Sequence, residues 1–376
     1  MKNCVGSPVE GEDFYGREKE LKLAWEMIED GNSLILAAPR RIGKTSFSKK
    51  LLTIAEEKGW VTLYLDLEGI QSEHTFIERF TDDLIKKDVL SNTIDKVKSA
   101  LSLFSVKAGN LALEWNAQKN DIYEKLIDAI DPNKETLIVI DELAIFLTYL
   151  IKDNGDVVFF LNWLRSLRQL KSSKIRWIFC SSIGIDNFLS IHRLSNTMND
   201  VDSFLLAEMK RDESAGLLKA LGESRGIDLT DGQINYILDK LGWELPYFIQ
   251  ILFSEIYRLN QLNDEIISNV LIDKAYSSLI DHKYFNTWDE RLKEYSDLEE
   301  NTRMVLKRIC QVPKGEKREN LHTELNKKIR NSEKADEVLS KILRILINDG
   351  YLMETERNYG FRSPLLRDFW YNRFVL

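Results

Sequence analysis

The stretch Ala38-Pro39-Arg40-Arg41-Ile42-Gly43-Lys44-Thr45, followed by Ser46, constrains this chain more than any other feature. An apolar run (SLILA, residues 33–37) precedes it and a helix-forming run (SFSKKLLTIAEEK) continues it. It fits G-x-x-x-x-G-K-[ST] at every fixed position but the first, where Ala38 stands for glycine. A strand that turns into a helix through such a loop aims backbone N–H groups at phosphate oxygens. Lys44 then adds a point charge near the β- and γ-phosphates, and the Thr45 hydroxyl can hold Mg²⁺. The plain alternative is a chance Gly-Lys-Thr in a loop, which the flanking strand and helix argue against. Alanine is small and can replace glycine where φ is negative. Ala38 therefore bears on the geometry of the loop rather than on its class.

A second feature lies about 100 residues downstream. Residues 137–142 read L-I-V-I-D-E, four apolar residues of a buried strand and then two carboxylates at its C-terminal end. Asp141 would belong to the Mg²⁺ shell, and Glu142 would polarise an attacking water as general base. Alone, such a pair is often only a surface acidic patch; with a phosphate loop upstream it completes a Mg·ATP site. A strand ending in Cys180-Ser181-Ser182 is expected between these two strands, with Ser181 first and Ser182 next as a polar sensor of the γ-phosphate. A hydroxyl that merely caps the following turn is the competing reading.

The rest of the pattern fits an α/β P-loop NTPase. Apolar runs at residues 33–37, 61–67, 136–140, 176–180 and 202–206 alternate with helical stretches, as in a five-stranded parallel sheet covered on both faces. Roughly 65 residues separate the second and third runs, far more than a usual connection, and helices are expected there at 75–88, 93–105 and 119–130. After residue 206 the pattern turns helical at 211–221, 231–240, 246–261 and 264–279, punctuated by Gly242 and Pro246. The end of the chain reads helix (299–310), helix (320–329), helix (334–348), then an alternating hairpin at 351–356 and 358–363, the order of a winged helix-turn-helix. The expected domains are an ATPase domain at 1–207, an all-α lid at 208–295 and a winged helix at 296–376.

These segments resemble the archaeal-type ATPases of the STAND group, relatives of the AAA+ proteins and similar to origin-recognition ATPases. The residues that carry the likeness are Phe14-Tyr15-Gly16-Arg17-Glu18-x-Glu20-Leu21, the P-R-R-x-G-K-T-S loop, I-D-E, C-S-S-I-G, Gly242-Trp243-x-x-Pro246-Tyr247-Phe248-Ile249-Gln250, and Phe361-Arg362-Ser363-Pro364-Leu365-Leu366-Arg367-Asp368-Phe369-Trp370. The resemblance implies that Tyr15, Gly16 and Arg17 border the adenine and that Pro246 approaches the base or ribose from the lid. The family's loops usually begin with glycine, so Ala38 is a departure. Arg40, Arg41, Arg165 and Arg193 are all candidates for an arginine finger, and a solvated cation is the plainer reading for each. For Gly242 and Pro246 the plain reading is a helix stop followed by a helix start.

Composition narrows the functions. The net charge is −8 with a charged fraction of 30%, which does not suit a chain built mainly to coat nucleic acid. The sign is uneven, however: residues 301–376 carry 16 Lys/Arg against 10 Asp/Glu. Lys314, Lys317, Arg318, Lys327, Lys328 and Arg330 could meet DNA phosphates, although Glu333, Asp336 and Glu337 at the start of the recognition-helix candidate would oppose them. Cys4, Cys180 and Cys310 are scattered and suggest neither disulfides nor a zinc site. With no apolar leader and no 18-residue apolar run, the cytoplasm is the expected compartment. Three functions follow: an ATP-hydrolysing switch that engages a protein partner, an ATP-dependent DNA loader or regulator gripping DNA through residues 300–376, and a scaffold that holds nucleotide without turnover. A homo-oligomer is compatible with each.

Overall fold

The computed structural model describes residues 1–90, 111–153, 155–181, 184–280 and 283–376. The helix expected at 93–105 and the second sensor candidate, Ser182, lie outside the described residues. The chain forms two compact units, one of Arg17–Ala37 with Lys44–Leu206, the other of Met1–Gly16, Ala38–Gly43 and Ala207–Leu376.

In the first unit, α1 (Glu18–Glu29) leads to β1 (Leu34–Ala37), and α2 (Lys44–Glu57) to β2 (Val61–Asp66). The long connection holds α3 (Glu73–Lys86) and α4 (Leu111–Ala129); then come β3 (Thr136–Asp141), α5 (Leu143–Lys152), α6 (Val157–Arg168), β4 (Ile175–Phe179), α7 (Ile185–Ile191) and β5 (Asp202–Leu205). The strands form one parallel sheet in the order β2-β3-β4-β1-β5, so β4 lies between β1 and β3. Parallel strands must bury both faces, and the period of two divides them. Leu63, Leu65, Ile138, Ile140, Trp177 and Phe179 enter a core with α3 to α6, where Phe76, Phe80, Phe146, Phe160 and Trp163 pack on one another. The alternate residues Leu34, Leu36, Leu137, Val139 and Ile178 are buried on the opposite face, which α2 covers with Phe47 stacked on Phe204 at 5.7 Å. Alternation therefore puts Asp141, in step with Leu137 and Val139, on the α2 side.

In the second unit, α8 (Arg211–Glu223), α9 (Asp231–Leu241), α10 (Pro246–Asn263), α11 (Asn269–Ile280) and α12 (Asn286–Arg291) are followed by α13 (Glu299–Cys310). Thr230 and Gln233 form a capping box that starts α9. Gly242, left-handed at φ 61°, ends it, and Pro246 opens α10. The helix expected from residue 264 begins only at Asn269. Asp264 takes a left-handed φ of 49° that ends α10, and Ser268 accepts from Leu271 N at 3.3 Å to start the next helix.

The chain closes with β6 (Glu316–Lys317), α14 (Arg318–Ile329), α15 (Ser332–Asn348), β7 (Leu352–Thr355), β8 (Asn358–Phe361) and α16 (Pro364–Phe374). Strands pair antiparallel in the order β6-β8-β7, completing the helix–strand–helix–helix–hairpin sequence of a winged helix. Positive φ at Glu356 and Arg357 (52° and 65°) gives the two-residue turn the twist a tight hairpin needs. The short β6 has no alternation to announce it and forms only by pairing with β8. Inside this end of the unit the Tyr351 hydroxyl donates to Trp288 O at 2.6 Å, and buried Asp349 receives Tyr295 at 2.5 Å and Arg291 at 3.4 Å.

Candidate functional site

Gly43 has φ 99°, a backbone conformation that a side chain would strain, and a Cβ there would meet no neighbour. The loop thus requires glycine for its backbone rather than for space, and α2 begins at the next residue, Lys44. Lys44 and Ser46 are buried and Thr45 is half-buried in the first turn of α2.

In the first unit, Thr45, Asp141, Glu142 and Ser181 come together. The Thr45 hydroxyl donates to Asp141 Oδ2 at 2.8 Å. Asp141 is only 4% exposed. Its Oδ1 accepts from the backbone N–H of Glu142 at 3.0 Å, and its Oδ2 also accepts from the Tyr64 hydroxyl at 3.0 Å. Glu142 has a left-handed φ of 58° at the junction of β3 and α5. The adjacent strand β4 brings Ser181 to it, with the Ser181 hydroxyl donating to Glu142 Oε2 at 3.4 Å. Cys180, fully buried beside them, reports the local field. Burial and then the negative charge of Asp141 push its thiol well above the ordinary value, while Lys44 acts in the opposite direction.

The donor set fits a hard divalent cation. Because Thr45 gives its proton to Asp141, its oxygen lone pairs remain for a metal, and the Asp141 carboxylate beside it adds further oxygen donors. Among the described residues no group of three or more His, Cys, Asp or Glu could hold a metal ion. One hydroxyl and one carboxylate instead suit magnesium, which takes its other ligands from phosphate and water.

The earlier loop residues belong to the second unit, and their side chains are engaged there. Arg40 Nη1 donates to Thr287 O at 3.3 Å. The Arg41 guanidinium lies 4.5 Å from the Tyr247 ring centroid, and its Nη1 donates to Gly6 O at 3.4 Å. Ile42 is buried, Ala38 is half-buried, and Pro39 lies against Gly350. Tyr15 and Gly16 pack near α8: the Tyr15 hydroxyl sits over Gly216, and Gly16 faces Met209 and Glu213. Arg17, in the first unit, is buried, left-handed at φ 66° and 4.0 Å from Glu20. Pro246 occupies the first turn of α10. Of the other arginines considered, Arg165 Nη1 donates to Asn196 O at 2.9 Å and Arg193 is exposed with φ 57°.

Tyr64 was missed in the sequence. The signal was there: in VTLYLDL, the residues alternating with the core leucines are Thr62, Tyr64 and Asp66, and they share the sheet face of Asp141.

No protein-family model and no curated protein matches the chain. Solved structures do. A Walker-type ATPase of Pyrococcus abyssi superposes over 98% of this chain and 99% of its own, with a TM-score of 0.65 and 17% identity. The ORC2 protein of Aeropyrum pernix, solved in ADPNP and ADP complexes, aligns over 99% and 96% with a TM-score of 0.54 and 12% identity. At these identities the likeness establishes the fold, an α/β P-loop fold of the AAA+ type that extends through the C-terminal helices.

Proposed function

We propose that this chain is a Mg·ATP-binding and ATP-hydrolysing switch of the STAND type, whose nucleotide state repositions its helical lid and winged helix to engage a partner protein. The observation that carries this reading is the Thr45–Asp141 hydrogen bond of 2.8 Å, with Glu142 following in sequence and Ser181 within 3.4 Å of it. In this proposal residues 38–46 cradle the phosphates, Lys44 neutralises β- and γ-phosphate charge, and Thr45 with Asp141 holds the magnesium. Magnesium, when bound, supplies positive charge where the phosphate oxygens gather it. Glu142 orients and deprotonates water. Ser181 can donate either to Glu142 or to a phosphate oxygen, so its hydroxyl links the general base to the presence of a γ-phosphate. The places of Tyr15, Gly16 and Arg17 at the adenine, and of Pro246 at the base or ribose, rest on the family resemblance.

Support for a switch comes from the loop residues ahead of Lys44. Arg40 and Arg41 make their contacts with Thr287 and Tyr247, in the unit that holds the lid and the C-terminal helices. A protein partner is favoured over DNA because three of the basic residues nearest the winged helix already hold carboxylates: Arg318 with Asp336 at 2.6 Å, Lys327 with Glu324 at 2.8 Å and Lys328 with Glu300 at 2.8 Å.

Lys44→Ala and Glu142→Gln test the proposal together. Lys44→Ala is expected to lose ATP binding. Glu142→Gln should bind ATP like the parent and turn it over at least about 100-fold more slowly, within the range of a lost general base. A parent protein with negligible turnover, unchanged by Glu142→Gln, would instead mark a nucleotide-holding scaffold; normal turnover by Lys44→Ala would sink the reading altogether.

A further inference from the structure

We infer that Tyr64 is a positioning residue for Asp141 and sets the divalent-cation affinity of the site; this rests on the Mg·nucleotide reading above. A carboxylate offers about four lone-pair sites. Asp141 uses three of them, one for Glu142 N, one for Thr45 and one for Tyr64. The three donors come from three different elements. Glu142 N follows β3 itself and holds only Oδ1. Thr45 is the residue whose oxygen must also serve the cation. Tyr64 stands on β2, hydrogen-bonded to β3 in register Tyr64↔Val139, and is independent of the phosphate loop.

The tyrosine is held as firmly as it holds. Its ring has Lys49 Nζ 5.0 Å from the centroid, and Lys49 lies one helical turn beyond Thr45 on the same face of α2. The tyrosine hydroxyl donates to Asp141 Oδ2 at 3.0 Å. The donor on Oδ2 fixes the orientation of the carboxylate and leaves one lone-pair site free, through which Asp141 would accept from a water on the bound cation. That role suits magnesium, which gives up its waters reluctantly. Partners that orient the groups around a metal typically contribute 10- to 100-fold in metal affinity.

The test uses the full chain and Tyr64→Phe, which removes the hydroxyl and keeps the ring. Mn²⁺ binding in the presence of ADP is followed by electron paramagnetic resonance, and ADP binding in EDTA by calorimetry. Tyr64→Phe should weaken Mn²⁺ about 10-fold while leaving metal-free ADP affinity and the unfolding temperature within error of the parent. In an Asp141→Asn background the same change should have no further effect on Mn²⁺. Equal Mn²⁺ affinity in parent and Tyr64→Phe, or equal losses with and without metal, overturns the inference while leaving nucleotide binding intact. A parent chain that binds no ADP under either condition overturns the reading beneath it as well.

Discussion

Gly350→Ala offers a direct test of how the phosphate loop is held. Gly350 has φ 83°, and a Cβ built on it lies 2.6 Å from Pro39 Cβ and 2.8 Å from Trp243 Cη2. Neither neighbour is the free end of a flexible chain: the proline ring is stiff and Trp243 is buried. The left-handed backbone alone costs an alanine roughly 1–2 kcal/mol, and overpacking adds roughly 1–3 kcal/mol. Gly226 supplies the control, because it has φ 69° and nothing within 4 Å of a built Cβ. Gly226→Ala should show the backbone cost alone. The two variants should therefore differ by about 1–3 kcal/mol, or roughly 2–12 °C in Tm at about 2–4 °C per kcal/mol for a unit of this size. Differential scanning calorimetry and urea titration measure the difference. Only Gly350→Ala should also weaken ATP, since it alone displaces Pro39 of the loop. Equal Tm shifts for the two glycines would refute the packing of Pro39 and Trp243 on Gly350, and with it the argument that the C-terminal helices restrain the loop.

Other expectations follow from the same contacts. Gly216→Ala replaces a helical glycine whose Cβ would fall 2.1 Å from the Tyr15 hydroxyl. Because the tyrosine tip can swing away and helix propensity gains about 1 kcal/mol, stability should hold or rise while ATP affinity drops; unchanged ATP affinity on calorimetry would remove Tyr15 from the adenine. Thiol titration with a disulfide reagent at pH 8 should find one accessible cysteine in the native chain. Cys4 is half-buried, whereas burial pushes the Cys310 thiol up to about 11 and raises that of Cys180 still more clearly; a thiol of pKa 11 is ionised about one part in a thousand at pH 8, so two thiols should react only on unfolding. Gel-shift titration of DNA across a salt series should show at most weak binding, with a slope shallower than the 16 Lys/Arg of residues 301–376 would give if all met phosphates. A steep slope with tight binding would return the DNA-regulator reading to first place.

Much of the first unit was legible because its signals are local. Buried strands announce themselves as short apolar runs, and Gly43-Lys44-Thr45 and Asp141-Glu142 stand where strands end, so all five strands lie within one residue of their expected bounds and β4 takes its expected place between β1 and β3. Whatever depends on another segment was harder to read. The start of α11 moved because a left-handed Asp264 and the Ser268 cap decide it, and β6 exists only through β8. The contacts of Arg40 and Arg41 could not be read from the chain at all, since their partners Thr287 and Tyr247 lie more than 200 residues away.

Tyr64 falls between these cases, and it shows how far alternation alone can be pressed. Once Asp141 is assigned to one face of β3, a neighbouring parallel strand in register must send every second residue to that same face. In β2 those residues are Thr62, Tyr64 and Asp66; Asp66 stands directly opposite Asp141 but as a carboxylate has no proton to donate, Thr62 lies four residues back, and the tyrosine hydroxyl reaches the carboxylate. The face is therefore a deduction from the sequence, and the neighbouring strand is the one fact the fold had to supply. On the proposed reading Asp141 belongs to the magnesium shell, and Tyr64 stands two residues before the end of the strand beside it. The hydroxyl then holds the aspartate in place, and its loss should register first in the metal dependence and only afterwards in the rate.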